Sequence, residues 1–334
     1  MTGDDPFRRR PAIEMRTPRD NSFQPHTPLG GGPEFDAIRR LLERWGPRAR
    51  RIGDDAAVIT TLGERALVVS TDTSVENVHF RREWLTAEEI GYRAAAAALS
   101  DLAAMGAKPI GMLAAIALPE GWRSSLDALG DGIGEAAELA GAPIIGGDMS
   151  RATELSLTIT VLGTARDVLF RTTSRPGDAV YVTGALGGSL AALRDLEAER
   201  LPAPAHRQRF AHPVPRIREA AWLSRKGATA AIDISDGLGA DLAHLAAASR
   251  VRIVVDLGSV PRLEGLSAED AVLSGEEYEI VVTSSADLEP DVFRARFGLE
   301  LTKIGTVEQG SAEVRFMANG EQVEIPIGYL HFDS

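Results

Sequence analysis

The segment from Thr86 to Met105, TAEEIGYRAAAAALSDLAAM, constrains the fold more than any other part of the chain. Thr86 with Glu89 three residues later is a capping box, so a helix begins there. Its body is rich in alanine. Alanine projects little side-chain bulk, so this helix can lie very close to a sheet. One carboxylate, Asp101, sits among Leu99, Leu102, Ala103 and Ala104, and no Arg or Lys lies three or four residues away. A carboxylate buried without a partner is costly, so Asp101 reads as functional, beside a metal or a base.

The neighbouring segments build mixed α/β units around this helix. Phe35, Ile38, Leu41, Leu42 and Trp45 share one helical face that starts near Pro33 and stops at Gly46-Pro47. Strands are expected at Ala56–Thr60 and Ala66–Thr71 around a Leu62-Gly63-Glu64 turn. After the Ala-rich helix come strand Gly111–Leu118, helix Ser125–Ala140 ended by Gly141, and strands Pro143–Gly146 and Glu154–Gly163. The Pro176-Gly177-Asp178 turn opens a second unit. Strands there are expected at Ala179–Thr183, Ala228–Ile232, Arg252–Asp256, Tyr278–Thr283 and Thr302–Val307. Helices are expected at Ser189–Leu196, Arg216–Lys226, Leu238–Ser249 and Asp287–Phe297, and Leu201–Pro215 reads as a surface connection. Asn319-Gly320 marks a hairpin. A length of 334 residues fits two domains, at 33–165 and 174–334, behind a disordered extension at 1–32.

Net charge −12 leaves no basic surplus for a nucleic-acid or anionic-membrane partner. Cysteine is absent, which excludes disulfides, thiolate nucleophiles and Cys-based zinc sites and fits a cytoplasmic protein. No apolar run approaches the ~18 residues of a membrane span. The histidines His26, His79, His206, His212, His244 and His331 show no zinc-hydrolase spacing. His79 is the one candidate for binding a substrate.

Six acidic motifs are scattered over the chain: GDDAAVI at Gly53, STDT at Ser70, LSDLAAMGA at Leu99, IIGGD at Ile144, DISDG at Asp233 and SGEEYE at Ser274. Carboxylates converging from strand ends suit hard cations, which commonly accompany phosphate chemistry. Singly, most have a bland alternative. Asp54 and Asp55 could form a solvated turn, with only one of them pointing inward. STDT could be an Asx or ST turn, and GGD a tight turn. Ser235 or Asp236 could cap the following helix, or that helix N-terminus could hold phosphate. Asp233 has no such excuse. GALGGS at Gly184 is better read as a βα turn than as a phosphate grip.

In order, the motifs GDDAAVI, STDT-x-VE-x-x-HF, LSDLAAMGAKP, IIGGD, TG-x-LG-x-S, IDISDGL-x-x-DL and GE-x-YE resemble those of the thiamine-monophosphate kinase family, from about Phe35 to the C-terminal GYLHF. The resemblance implies a two-domain fold like aminoimidazole ribonucleotide synthetase, an N-terminal domain that pairs in a homodimer, and ATP-dependent phosphorylation of thiamine monophosphate to thiamine diphosphate. It implies several Mg²⁺ ions held by Asp55, Ser70, Thr71, Asp72, Asp101, Asp148, Asp233 and Asp236. It places Gly147, Asp148, Arg171 and Ser235 on ATP, and His79, Glu276 and Tyr329 on the thiamine substrate. Three features depart from the family pattern. Ser274-Gly275-Glu276-Glu277 replaces Gly-Gly-Glu-Asp, Met149 replaces a Thr, and the first thirty-odd residues have no counterpart. The rival readings are another ATP-using enzyme of the same superfamily and a non-catalytic nucleotide- or metal-binding homologue.

Overall fold

The computed structural model describes residues 26–49, 52–62 and 65–325. Tyr329, residues 1–25 and the Gly63-Glu64 turn lie outside these. The chain runs α1 (Pro33–Trp45), β1 (Ala57–Leu62), β2 (Arg65–Val75), α2 (Ala87–Ala104), β3 (Lys108–Leu118), α3 (Leu126–Ala140), β4 (Ile144–Arg151) and β5 (Ser156–Ala165). It continues through β6 (Ala179–Thr183), α4 (Gly188–Glu197), α5 (Pro204–Ala211), α6 (Ile217–Lys226), β7 (Ala230–Asp233), α7 (Leu238–Ser249) and β8 (Arg252–Asp256). It closes with α8 (Ala268–Leu273), β9 (Ile280–Ser284), α9 (Pro290–Phe297), β10 (Leu301–Glu308), β11 (Glu313–Ala318) and β12 (Glu321–Val323).

Two sheets result, ordered β1-β2-β5-β3-β4 and β12-β11-β8-β10-β6-β9-β7. The expected α/β architecture is therefore present in both units. In the first sheet β3 and β4 pair in parallel and the other neighbours run antiparallel. The Thr86 capping box forms, and α2 is buried along nearly its whole length. It crosses α3 at van der Waals contact, because a Cβ on Gly91 would sit 2.1 Å from Leu129 O and one on Gly132 1.8 Å from Glu88 O. Only glycine allows two backbones to approach so closely.

The core beneath α2 is continuous with the second unit. Leu99, Leu102 and Met112 share it with Phe210, Trp222, Ile280 and Phe293. A second core fills the other face of the larger sheet under α7, around Ile232, Leu242, Ile253 and Val281. The two units are thus packed into one body, with α2 at their junction.

Two local expectations are corrected, and a third element forms where expected with its apolar face left uncovered. Leu201–Pro215 is not a plain surface connection: Pro204 opens α5, whose Phe210 and Ala211 are buried. Pro at the first helical position is pre-organised for a helix start. Helix α1 forms but buries none of its residues, and Leu41 and Trp45 remain exposed. His26–Gly32, expected to be part of a disordered extension, instead lies against the GDD loop. Thr27 N donates to Ile52 O at 3.0 Å, and Thr27 Oγ1 donates to Asp54 Oδ2 at 3.1 Å.

Candidate active site

Period-two alternation on β2 sorts the STDT motif into two faces. Ser70, Asp72 and Ser74 turn toward α2. Thr71 and Thr73 turn outward, where their hydroxyls meet those of Thr160 and Thr158 at 3.0 Å. The Thr71 hydroxyl therefore lies on the opposite face of the strand from Ser70 and Asp72. Ser70 Oγ sits between Asp101 Oδ2 at 2.5 Å and Asp55 O at 3.1 Å.

Asp55, Asp101 and Asp233 converge from three separate elements, with one carboxylate oxygen of each lying within 4.8 Å of the others. Asp55 comes from the loop before β1, Asp101 from α2 and Asp233 from the end of β7. Asp55 and Asp233 are buried, while Asp101 reaches the half-buried lip of the cluster. Arg171 closes one side, with Nε at 2.9 Å and Nη2 at 2.6 Å from the two oxygens of Asp55. Ser100 Oγ donates to Asp233 Oδ2 at 2.6 Å. Burial and the Asp55 charge push Asp233 up to about 8. Burial and the charges of Asp233 and Asp55 also raise Asp101 well above the carboxylate range. Arg171 stays charged: burial disfavours the cation, but Asp55 outweighs that effect.

Both carboxylates of the GDD motif turn out to be engaged, where alternation allowed only one. Gly53 to Ala56 form a bend and not a strand, so the period-two rule does not reach them. Asp54 Oδ1 accepts from Arg171 N at 2.7 Å and so fixes the backbone that delivers the guanidinium. The DISDG loop also differs from expectation. Neither Ser235 nor Asp236 caps α7, whose N-cap position is Gly237. Asp241 Oδ2 takes the N–H groups of Ser235, Asp236 and Gly237 at 3.1, 3.2 and 3.1 Å. Asp236 falls in a second group with Asp241 and His244. Burial and Arg171 push the His244 imidazole down to about 4.

Asp148 is not in the triad. Its register row on the first sheet runs through Ala115, Thr158 and Thr73, on the outer face, and it is exposed. Gly147 has a structural cause: a Cβ there would stand 1.9 Å from Ala114 O. Glu277, the family's Asp position, reaches the GALGGS turn. Its Oε1 accepts from Gly187 N at 2.9 Å, Ser189 N at 3.0 Å and Ser274 Oγ at 2.6 Å. The turn's N–H groups therefore hold a protein carboxylate and not a phosphate.

His79 and Glu276, two of the expected substrate contacts, are brought together. They line one small cleft with Ser74, Phe80, Arg93 and Tyr278. His79 Nδ1 accepts from Val75 N at 3.1 Å, so its orientation is set by the strand it follows. Sequence reasoning missed Asp54, Ser100, Arg93, Asp241 and Tyr278. All but Arg93 fall inside motifs already singled out, in GDDAAVI, LSDLAAMGA, IDISDGL-x-x-DL and GE-x-YE, without having been given a role of their own. The cleft and the triad are strung along the same two elements: Ser70, Asp72 and Ser74 follow one face of β2, while Arg93, Ala97 and Asp101 follow one face of α2.

This arrangement fits a divalent cation with oxygen ligands. The triad carries three carboxylates against one guanidinium, and burial together with their mutual repulsion disfavours the charged forms, which a bound cation would relieve.

Residues 53–165 match the family model described as AIR synthase related protein, N-terminal domain, and residues 175–317 match its C-terminal counterpart. The thiamine-monophosphate kinase of Bacillus subtilis (strain 168) is 35% identical over 324 residues, covering 90% of this chain and 99% of that one. A solved structure of AaThiL complexed with AMPPCP and TMP is 31% identical with a TM-score of 0.79, covering 90% of this chain and 97% of that chain. That of thiamine-monophosphate kinase from Stenotrophomonas maltophilia K279a is 34% identical with a TM-score of 0.72, covering 87% and 98%. With relatives of this similarity aligned along nearly their whole length, the chain belongs to the thiamine-monophosphate kinase family.

Proposed function

We propose that the protein transfers the γ-phosphoryl group of ATP to thiamine monophosphate, giving ADP and thiamine diphosphate. The observation that carries this reading is the placing of two groups of residues along β2 and α2. An oxygen-ligand cluster at Asp55, Asp101 and Asp233 lies at one end, and a cleft with His79 and Glu276 lies at the other.

The attacking group is a phosphate oxygen of the substrate. A phosphomonoester has its second pKa near ~6 and is already largely dianionic at neutral pH. No residue has to remove a proton, which suits a cluster built from carboxylates. Mg²⁺ held by Asp55, Asp101 and Asp233, with Asp72 and Ser70 beside them, would neutralise the phosphates as they approach. The chain's own residues keep this cluster rigid. Arg171 fixes Asp55, Ser70 donates to Asp101, and Ser100 donates to Asp233. Arg171, the Ser235 hydroxyl, Gly147 and Asp148 are the residues proposed on the ATP side. Asp148 and Asp236, outside the triad, are proposed to engage metal together with the nucleotide. Tyr329 keeps its proposed place on the substrate from the sequence alone.

A homodimer through the first sheet belongs to the same proposal. Strand β4 is an edge strand exposed along its whole length, and it presents Ile144, Ile145 and Met149 beside the exposed Ile110 and Leu113 of β3. An exposed apolar edge of this kind requires a covering partner. Among the described residues no helix is long and apolar enough to cross a membrane.

The test is ADP release with thiamine monophosphate compared against a panel of other phosphomonoesters. Selective turnover of thiamine monophosphate supports the reading. Equal or greater turnover of an unrelated phosphomonoester favours another enzyme of the superfamily, and no turnover of any favours a binding protein.

A further inference from the structure

Arg93 is buried at the junction of the two units, and its charge is fully used. It is 6% exposed, and its guanidinium lies over the Phe210 ring with Cζ 4.4 Å from the centroid. Nη1 donates to the Phe210 carbonyl, and Nη2 donates to Glu276 Oε2 at 2.8 Å. Glu276 itself cannot relax away. Its backbone is left-handed at φ 53°, its N–H donates to Ser235 O at 2.7 Å, and a Cβ on Gly275 would stand 2.7 Å from the same oxygen. The loop that carries Glu276 is thus latched to the DISDG loop. Arg93 and Asp101 lie on one face of α2, eight residues and so about 12 Å apart along the axis. The helix sets a fixed span between the acidic cluster and the Glu276 carboxylate.

We infer that Arg93 is a positioning residue that holds Glu276 Oε2 and presents Oε1 to the cleft as a hydrogen-bond acceptor. This deepens the proposed function and rests on it, since the acceptor would meet the far end of the substrate. The ion pair removes the net charge of Glu276, so this end of the cleft does not select cations as such. It selects a heterocycle that offers an N–H donor, as the amino group of an aminopyrimidine does. Although Arg93 also lines the cleft, its hydrogen bonds go to Phe210 O and Glu276, so its role in this inference is through Glu276.

Glu276→Gln makes the inference testable. An amide has one acceptor and one donor end, and Arg93 can accept nothing. Arg93 would therefore claim the amide oxygen and turn the NH₂ toward the substrate, donor against donor. Removing Arg93 lets the amide rotate. Four proteins are compared: the parent, Arg93→Met, Glu276→Gln and the double variant, with Arg93→Lys as a milder replacement should Arg93→Met fold poorly. KM for thiamine monophosphate, KM for ATP, kcat and thermal midpoint are measured, with calorimetric binding of thiamine monophosphate alongside. The loss of one charge-assisted contact raises KM for thiamine monophosphate about tenfold or more in Arg93→Met and in Glu276→Gln. KM for ATP stays near the parent value, and Arg93→Lys falls between the parent and Arg93→Met. The double variant binds thiamine monophosphate more tightly than Glu276→Gln alone. Additive or worse losses in the double variant, or an equal rise in KM for ATP, would overturn the inference. A parent that binds thiamine monophosphate without turning it over contradicts the kinase reading only, and a parent that does not bind it overturns both.

Discussion

Asp233→Asn should make the metal-free protein more stable while abolishing its response to magnesium and nucleotide. Asp233 is 3% exposed and its proton affinity is raised from 3.8 to about 8, first by burial and then by Asp55. A raised folded-state pKa means that ionisation works against folding. Carrying the carboxylate to pH 7 therefore costs at most ~4 kcal/mol, from ~3 units at about 1.4 kcal/mol each. Asp101 and Arg171 share the adjustment, so a net gain of about 2 kcal/mol is expected for Asn, whose Oδ1 still accepts from Ser100. The sign follows from the titration. Below about pH 4 both states are protonated and the gain vanishes; it grows as pH rises toward 8 and then levels off. Urea unfolding at several pH values, with EDTA and then with Mg²⁺ and a non-hydrolysable ATP analogue, separates the two effects. An Asn variant that is less stable than the parent throughout, or that keeps the full ligand-induced stabilisation, would refute the electrostatic reading of the cluster.

Arg171→Met should act in the opposite direction. Removing the bidentate partner of the buried Asp55 should destabilise the metal-free protein by about 3 kcal/mol, with Mg²⁺ restoring part of the loss in urea titrations. Glu277→Ala strips the acceptor from Gly187 N and Ser189 N and leaves Arg209 beside an empty site. A loss of about 3 kcal/mol in chemical unfolding is expected, and a loss under ~0.5 kcal/mol would contradict the structural role given to this carboxylate. Gly132→Ala should lower the thermal midpoint by several degrees, because its methyl would meet Glu88 O at the α2–α3 crossing. An unchanged midpoint would mean that the helices can separate freely.

Periodicity carried most of the architecture. The Thr86 capping box and the Gly141 stop located α2 and α3 because local hydrogen bonding decides helix ends. Helix α5 was hidden because its eight residues have little amphipathic pattern; burial of Phe210 and Ala211, a tertiary effect, accompanies it. Helix α8 was overlooked although Ser267 and Asp270 form a capping box, since Asp in place of Glu weakens that signature. At the site, Asp101 and Asp233 stood out through apolar surroundings. The partners that tame them, Arg171, Ser100 and Ser70, come from distant segments, and no spacing rule links them. Arg93 was invisible for the same reason: its partners Phe210 and Glu276 lie 117 and 183 residues away. Thr71 shows the converse limit. Motif membership suggested a ligand, and strand alternation turned its hydroxyl to the other face.

The central claim is that this carboxylate cluster mediates direct phosphoryl transfer between two phosphates. ATP labelled in its γ-phosphate, incubated with the protein, Mg²⁺ and thiamine monophosphate, tests it most directly. The label is expected in the terminal phosphate of thiamine diphosphate, with none retained on the protein and no transfer when EDTA is present. Label appearing only as inorganic phosphate, or persisting on the protein, would contradict it.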